Sequence, residues 1–147
     1  MKGKKIAAIS AALVCTMVAL LIVSPHVYGA NAFDSATGSH LYVEVGVAGN
    51  YFNGTLYSPA AYVKARVVTT IQNNGWYLYY HFEWEDMNHV THYQESCNYY
   101  TNSTAGFQVR IDCTGLPSQV IYMAADGRAG YGGDWDTRLV SASLPWA

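Results

Sequence analysis

Carboxylates, histidines and tyrosines are the residues of this chain with chemistry to offer, and their spacing decides how much. Glu83, Glu85 and Asp86 lie together, and glycoside hydrolysis needs two carboxyl groups at a defined separation. Both glutamates, however, read as partners of Arg66 and Lys64, and a salt-bridged carboxylate with a lowered pKa is a poor general acid. His89, His92 and Glu95 are spaced by three, with His81 and Glu83 nearby. On a helix that spacing would gather metal ligands on one face. On a strand, residues three apart point to opposite faces, and no zinc spacing is matched. His40, His81, His89 and His92 therefore read as surface histidines.

Asp126, Asp134 and Asp136 lie in or beside a glycine-rich stretch, 126–136. Flexible glycines with several carboxylates could wrap a calcium ion, which takes oxygen ligands. The spacing is not that of an EF-hand, and Asp and Gly are also ordinary turn residues. No serine or cysteine nucleophile signature is present. The sequence assigns no catalytic residue.

Tyrosine is the unusual feature, at thirteen residues. Tyr62, Tyr77 and Tyr79 fall in line with His81 as a candidate binding face. Rings on an exposed sheet face can stack on sugars or form a protein contact surface. The competing reading is that a second layer or a loop covers them.

The elements that must position these groups read as strands. Alternation of period two, rich in Val, Ile, Tyr, Thr and Trp and bounded by Gly, Asn and Pro, recurs along the chain. In 41–47, Leu41, Val43, Val45 and Val47 point one way while Tyr42 and Glu44 point the other. Residues 49–59 read as a polar loop. Segments 62–72 and 76–85 flank Asn74-Gly75, a type I′ hairpin signal. Pairing them about that turn sets Ile71 against Leu78, Val67 against Phe82 and Ala65 against Trp84. It also sets Arg66 against Glu83 and Lys64 against Glu85.

Segments 93–101 and 107–114 read as a second hairpin, with Cys97 opposite Cys113 and a disulfide between them. Segments 119–125 and 138–144 complete a set of about seven strands, and 126–136 reads as a loop. The expected fold is all-β: a single antiparallel β-sandwich, with a small β-barrel as the alternative.

The first thirty or so residues read as a secretory signal. Lys2, Lys4 and Lys5 precede the apolar run 6–23, and Pro25 and small residues follow. Ala30-Asn31-Ala32 fits cleavage before Phe33, and Val27-Tyr28-Gly29 fits cleavage before Ala30. Cys15, inside the run, lacks the small residue that a lipoprotein signal places before its cysteine. Residues 1–32 are thus expected to leave and 33–147 to form the secreted, extracellular domain, with no stable membrane anchor after cleavage. That domain keeps five basic residues (Lys64, Arg66, Arg110, Arg128, Arg138) against all ten acidic ones, a formal charge of −5. An acidic surface disfavours nucleic acid as a partner. The two remaining cysteines suit one bridge in an oxidising compartment. Asn53-Gly-Thr and Asn102-Ser-Thr match glycosylation acceptors.

The functional expectation is a secreted, non-catalytic binding or self-assembling protein that uses aromatic-rich sheet faces and takes no cofactor, calcium being the one candidate. Its partner would be an extracellular protein or carbohydrate surface, or a second copy. A secreted toxin or antimicrobial protein shares these features, as does a hydrolase whose site is assembled from distant residues.

Overall fold

The computed structural model describes residues 28–145; the expected signal segment lies almost wholly outside them. Ten strands follow one another: β1 (Tyr28–Thr37), β2 (Leu41–Phe52), β3 (Thr55–Val67), β4 (Trp76–Glu85), β5 (Thr91–Tyr100), β6 (Gln108–Asp112), β7 (Gln119–Val120), β8 (Tyr122–Tyr131), β9 (Asp134–Trp135) and β10 (Val140–Leu144). They build two antiparallel sheets that pack face to face as a β-sandwich. One sheet has the order β1-β2-β3-β6, with β7 also on β3; the other has the order β10-β8-β4-β5, with β9 on β8.

Period-two alternation sets the core. Leu41, Val43, Val45 and Val47 of β2 and Val63, Ala65 and Val67 of β3 are buried from one sheet. Trp76, Leu78, Phe82 and Trp84 of β4, with Met123, Ala125 and Ala129 of β8, meet them from the other. Removing a side chain such as Phe82 from this layer would cost about 3–5 kcal/mol.

The hairpin expected between 62–72 and 76–85 does not form. β3 pairs with β2 and β6, and β4 pairs with β5 and β8, so the two strands belong to opposite sheets. Neither Asn74 nor Gly75 takes a positive φ, which a type I′ turn needs at both central residues. Residues 68–75 instead carry the chain from one sheet to the other, with Ile71 buried on the way. Alternation cannot separate the two outcomes, because both strands send the same residues into the same core whether they lie side by side or face each other. Lys64 pairs across to Glu44 and Arg110, and Arg66 to Tyr42 and Gln108.

The Asn-Gly hairpin is at the other such dipeptide. Asn53 and Gly54 have φ of 48° and 78° and join Phe52 to Thr55. The stretch expected as a loop, 49–59, is mostly strand. The stretch 126–136 is likewise the end of β8, a turn at Gly132-Gly133 with φ of 63° and 81°, and β9.

Between Val120 and Tyr122 the chain changes sheets. Val120 pairs with Leu56, Tyr122 pairs with Glu85, and the Ile121 amide between them donates to the Glu85 carbonyl at 2.8 Å. The edge between β1 and β10 is tied by Asp34, whose carboxylate accepts from both terminal nitrogens of Arg138 at 2.7 and 2.9 Å and from the Ser141 amide at 3.1 Å.

Candidate functional site

Pairing fixes which side chains share an outer face. On the β10-β8-β4-β5 sheet, Tyr77, Tyr79, His81, Glu83 and Glu85 of β4 point away from the core. Tyr99, Cys97, Glu95 and Tyr93 stand beside them on β5, and Arg128 and Asp126 on β8. Tyr62 is not among them. It lies on β3, on the outer face of the opposite sheet, so the expected face of Tyr62, Tyr77, Tyr79 and His81 is split across the molecule.

The aromatic part of the β4–β5 face is built around Trp135. Its ring stands edge-on to Tyr77 at 5.2 Å and to Tyr79 at 6.5 Å between centroids. The Arg128 guanidinium lies 4.8 Å over the indole, and the Tyr77 hydroxyl donates to the Asp134 carbonyl. Burial, then nearby carboxylates, push the Tyr77 and Tyr79 hydroxyls up from the ordinary tyrosine pKa. The arrangement depends on Gly130: a Cβ there would clash with the Asp134 carbonyl oxygen and stand 2.7 Å from the Tyr77 ring.

Tyr77 and Tyr79 are thus half-covered, and the free rings are others. Tyr93 is 69% exposed, Tyr99 65% and Trp135 39%. Sequence reasoning missed all three. Tyr93 and Tyr99 share the parity of Cys97 and Glu95, which was the available signal; the incorrect hairpin register hid it. Trp135 lay inside the stretch expected as a loop.

Beside the aromatics is an acidic cluster. His81 Nδ1 lies 3.2 Å from Glu95 and its Nε2 3.7 Å from Glu83, while Asp126 sits directly across from His81 on β8. His89 and His92 bond Glu85 and Asp86 at 2.8 and 2.7 Å. Glu83 and Asp126 both line a shallow depression of about 550 Å³ with Tyr122 and Ser141. Hydrolysis by a carboxyl pair needs one acid held protonated. The carboxyls displaced from their ordinary pKa, Asp34, Glu44 and Asp86, are all displaced downward.

The outer face of the other sheet is different in charge. Glu44 accepts from Tyr42 and Tyr62 at 2.6 Å each. Arg110 stands 4.2 Å over the Tyr62 ring and Arg66 5.2 Å from the Tyr42 ring. Burial and the bond to Glu44 push the Tyr62 hydroxyl up to about 12, so this ring is a fixed part of the face.

Cys97 and Cys113 are free thiols. The expected β5–β6 hairpin is absent because those strands belong to different sheets. Cys97 is exposed on an outer face, whereas Cys113 packs against the core and its pKa is pushed by burial up to about 11. Two side chains aimed in such different directions cannot be bridged without moving backbone.

Asp126, Asp134 and Asp136 are placed separately. Asp126 belongs to the acidic cluster and Asp134 to β9. The Asp136 carboxylate accepts from the Ser39, His40 and Leu41 amides at 2.8–3.0 Å. Among the described residues no group of three or more His, Cys, Asp or Glu is arranged to hold a metal ion. Asn53 and Asn102 are both exposed, Asn53 in the turn between β2 and β3 and Asn102 in the segment between β5 and β6. Comparison with family models, curated proteins and solved structures finds no match for this chain.

Proposed function

We propose that this is an exported, non-catalytic binding protein whose working surface is the outer face of the β10-β8-β4-β5 sheet. The observation that carries the reading is the set of exposed rings Tyr93, Tyr99 and Trp135 on one rigid face, Trp135 being braced on Tyr77, Tyr79 and Arg128. Isolated exposed apolar residues need no explanation, but grouped aromatics mark contact surfaces. Rigid rings lose little conformational entropy on binding and offer both stacking area and hydroxyls. Export rests on the charged and apolar layout of the N-terminal segment. An extracellular protein, a carbohydrate surface and a second copy are the partners this face suits.

The test is the triple variant Tyr93→Ala, Tyr99→Ala and Trp135→Ala. It should unfold close to the wild-type temperature while losing at least tenfold in self-association, or in retention on an immobilised neutral polysaccharide. A variant that unfolds makes the rings structural, and one that binds as well as wild type removes the face from function.

A further inference from the structure

The two outer faces of the sandwich are opposite in charge. On the β10-β8-β4-β5 sheet stand Glu83, Glu85, Glu95 and Asp126 against Arg128 alone. On the β1-β2-β3-β6 sheet stand Lys64, Arg66 and Arg110 against Glu44 and Asp112. Among the described residues, neither Lys64 nor Arg66 lies within 4.0 Å of a carboxylate, and the only ion-pair partner of Glu83 and Glu95 is His81. The aromatic face thus carries a formal charge of −3 and the other face +1, Arg110 being paired with Asp112 and Lys64 lying across from Glu44.

We propose that a second copy of this chain occupies the aromatic face, laying its basic face on the acidic one. This rests on the binding-face reading above and names the partner. Both faces are sheet surfaces of four main strands. With about 3.3 Å per residue and 4.8 Å between strands, each offers roughly 600 Å², so a stacked pair buries about 1,200 Å² in total, the lower end of specific interfaces. The contact joins unlike surfaces, so each added copy still presents one acidic and one basic face. Such a heterologous contact extends as an open chain unless its rotation closes a ring. The exposed rings lie inside the contact and the charges set which face meets which.

Sedimentation velocity on the folded exported protein tests this, together with two charge-reversed variants. At about 10 mM salt, where the screening length is roughly 30 Å, wild type should sediment as oligomers, and at about 1 M, where it is roughly 3 Å, it should shift toward monomer. Lys64→Glu with Arg66→Glu makes both faces acidic. Glu83→Lys with Glu95→Lys removes the acidic excess that the basic face recognises. Each variant alone should be monomeric at low salt, and an equimolar mixture should assemble again. If a reversed pair does not fold, Lys64→Gln with Arg66→Gln, or Glu83→Gln with Glu95→Gln, should weaken association at least tenfold. Wild type that is monomeric at low salt, or reversed variants that associate as wild type does, would overturn the proposal. Monomeric wild type whose binding to another surface is still lost in the Tyr93, Tyr99 and Trp135 triple variant overturns the second copy but leaves the binding face standing. Loss of both removes the two readings together.

Discussion

Asp34 and Arg138 form a two-pronged ion pair across the edge between β1 and β10, with nitrogen–oxygen distances of 2.7 and 2.9 Å. The bonds from Arg138, working against the cost of burial and helped by the Ser141 and Ser35 amides, bring the Asp34 pKa from 3.8 down to about 2. A carboxyl depressed in the folded state adds stability that is fully present above its unfolded pKa and is lost as pH falls through the folded value. Arg138 is more than half exposed, which weakens the pair by solvent screening. Asp34→Asn should therefore cost on the order of 1 kcal/mol at neutral pH. Chemical denaturation should show the difference from wild type shrinking between about pH 4 and pH 2. A difference unchanged across that window would contradict the assignment.

The start of β1 bears on the two cleavage positions expected from the sequence. Ala30 is 7% exposed and pairs with Gly49; Ala32 pairs with Val47 and packs against the core. Cleavage before Phe33 would remove both, whereas cleavage before Ala30 leaves them. Mass spectrometry of the exported protein should give Ala30 as its first residue. Phe33 would show that β1 forms without its first half, and an intact N-terminus in a membrane fraction would remove export from the account.

The two thiols should behave unequally. In the folded protein an alkylating reagent should reach Cys97 quickly and Cys113 markedly more slowly, because Cys113 is half-buried and burial pushes its pKa up to about 11. Non-reducing peptide mapping should recover no bridge between them. A Cys97–Cys113 bridge would contradict the sheet assignment of β5 and β6.

Gly130→Ala tests the brace under Trp135. The added methyl would meet the Asp134 carbonyl and the Tyr77 ring, so β9 or the ring must move. The expected cost is about 1–3 kcal/mol, with a change in Trp135 accessibility to acrylamide. A variant with unchanged stability and quenching would mean that the turn relaxes freely.

The all-β class and the inward residues of β2, β3, β4 and β10 were legible because alternation reports burial directly. Which strand neighbours which was not, because a facing strand and an adjacent strand impose the same alternation. The two Asn-Gly pairs show the consequence. Asn53-Gly54 makes the hairpin and Asn74-Gly75 lies in a crossover, and the flanking residues alone did not separate them. β1 was hidden for another reason: its inward residues Ala30, Ala32 and Ala36 are small, so the strand carries little apolar contrast. Tyr77 and Tyr79 were placed on an outer face correctly. Their cover, Trp135, comes from a two-residue strand after a Gly-Gly turn, which a glycine-rich stretch does not announce.

The central claim is that Tyr93, Tyr99 and Trp135 are contact groups, and hydroxyl-radical footprinting reads them one by one. The protein is labelled in the culture medium of cells that express it, where the proposed export would deliver it, and again after purification into dilute buffer of high salt. The account predicts that these three rings are oxidised substantially less in the first state than in the second, while Val68, 41% exposed in the crossover between the sheets, is oxidised equally in both. Equal oxidation of Tyr93, Tyr99 and Trp135 in the two states would contradict it.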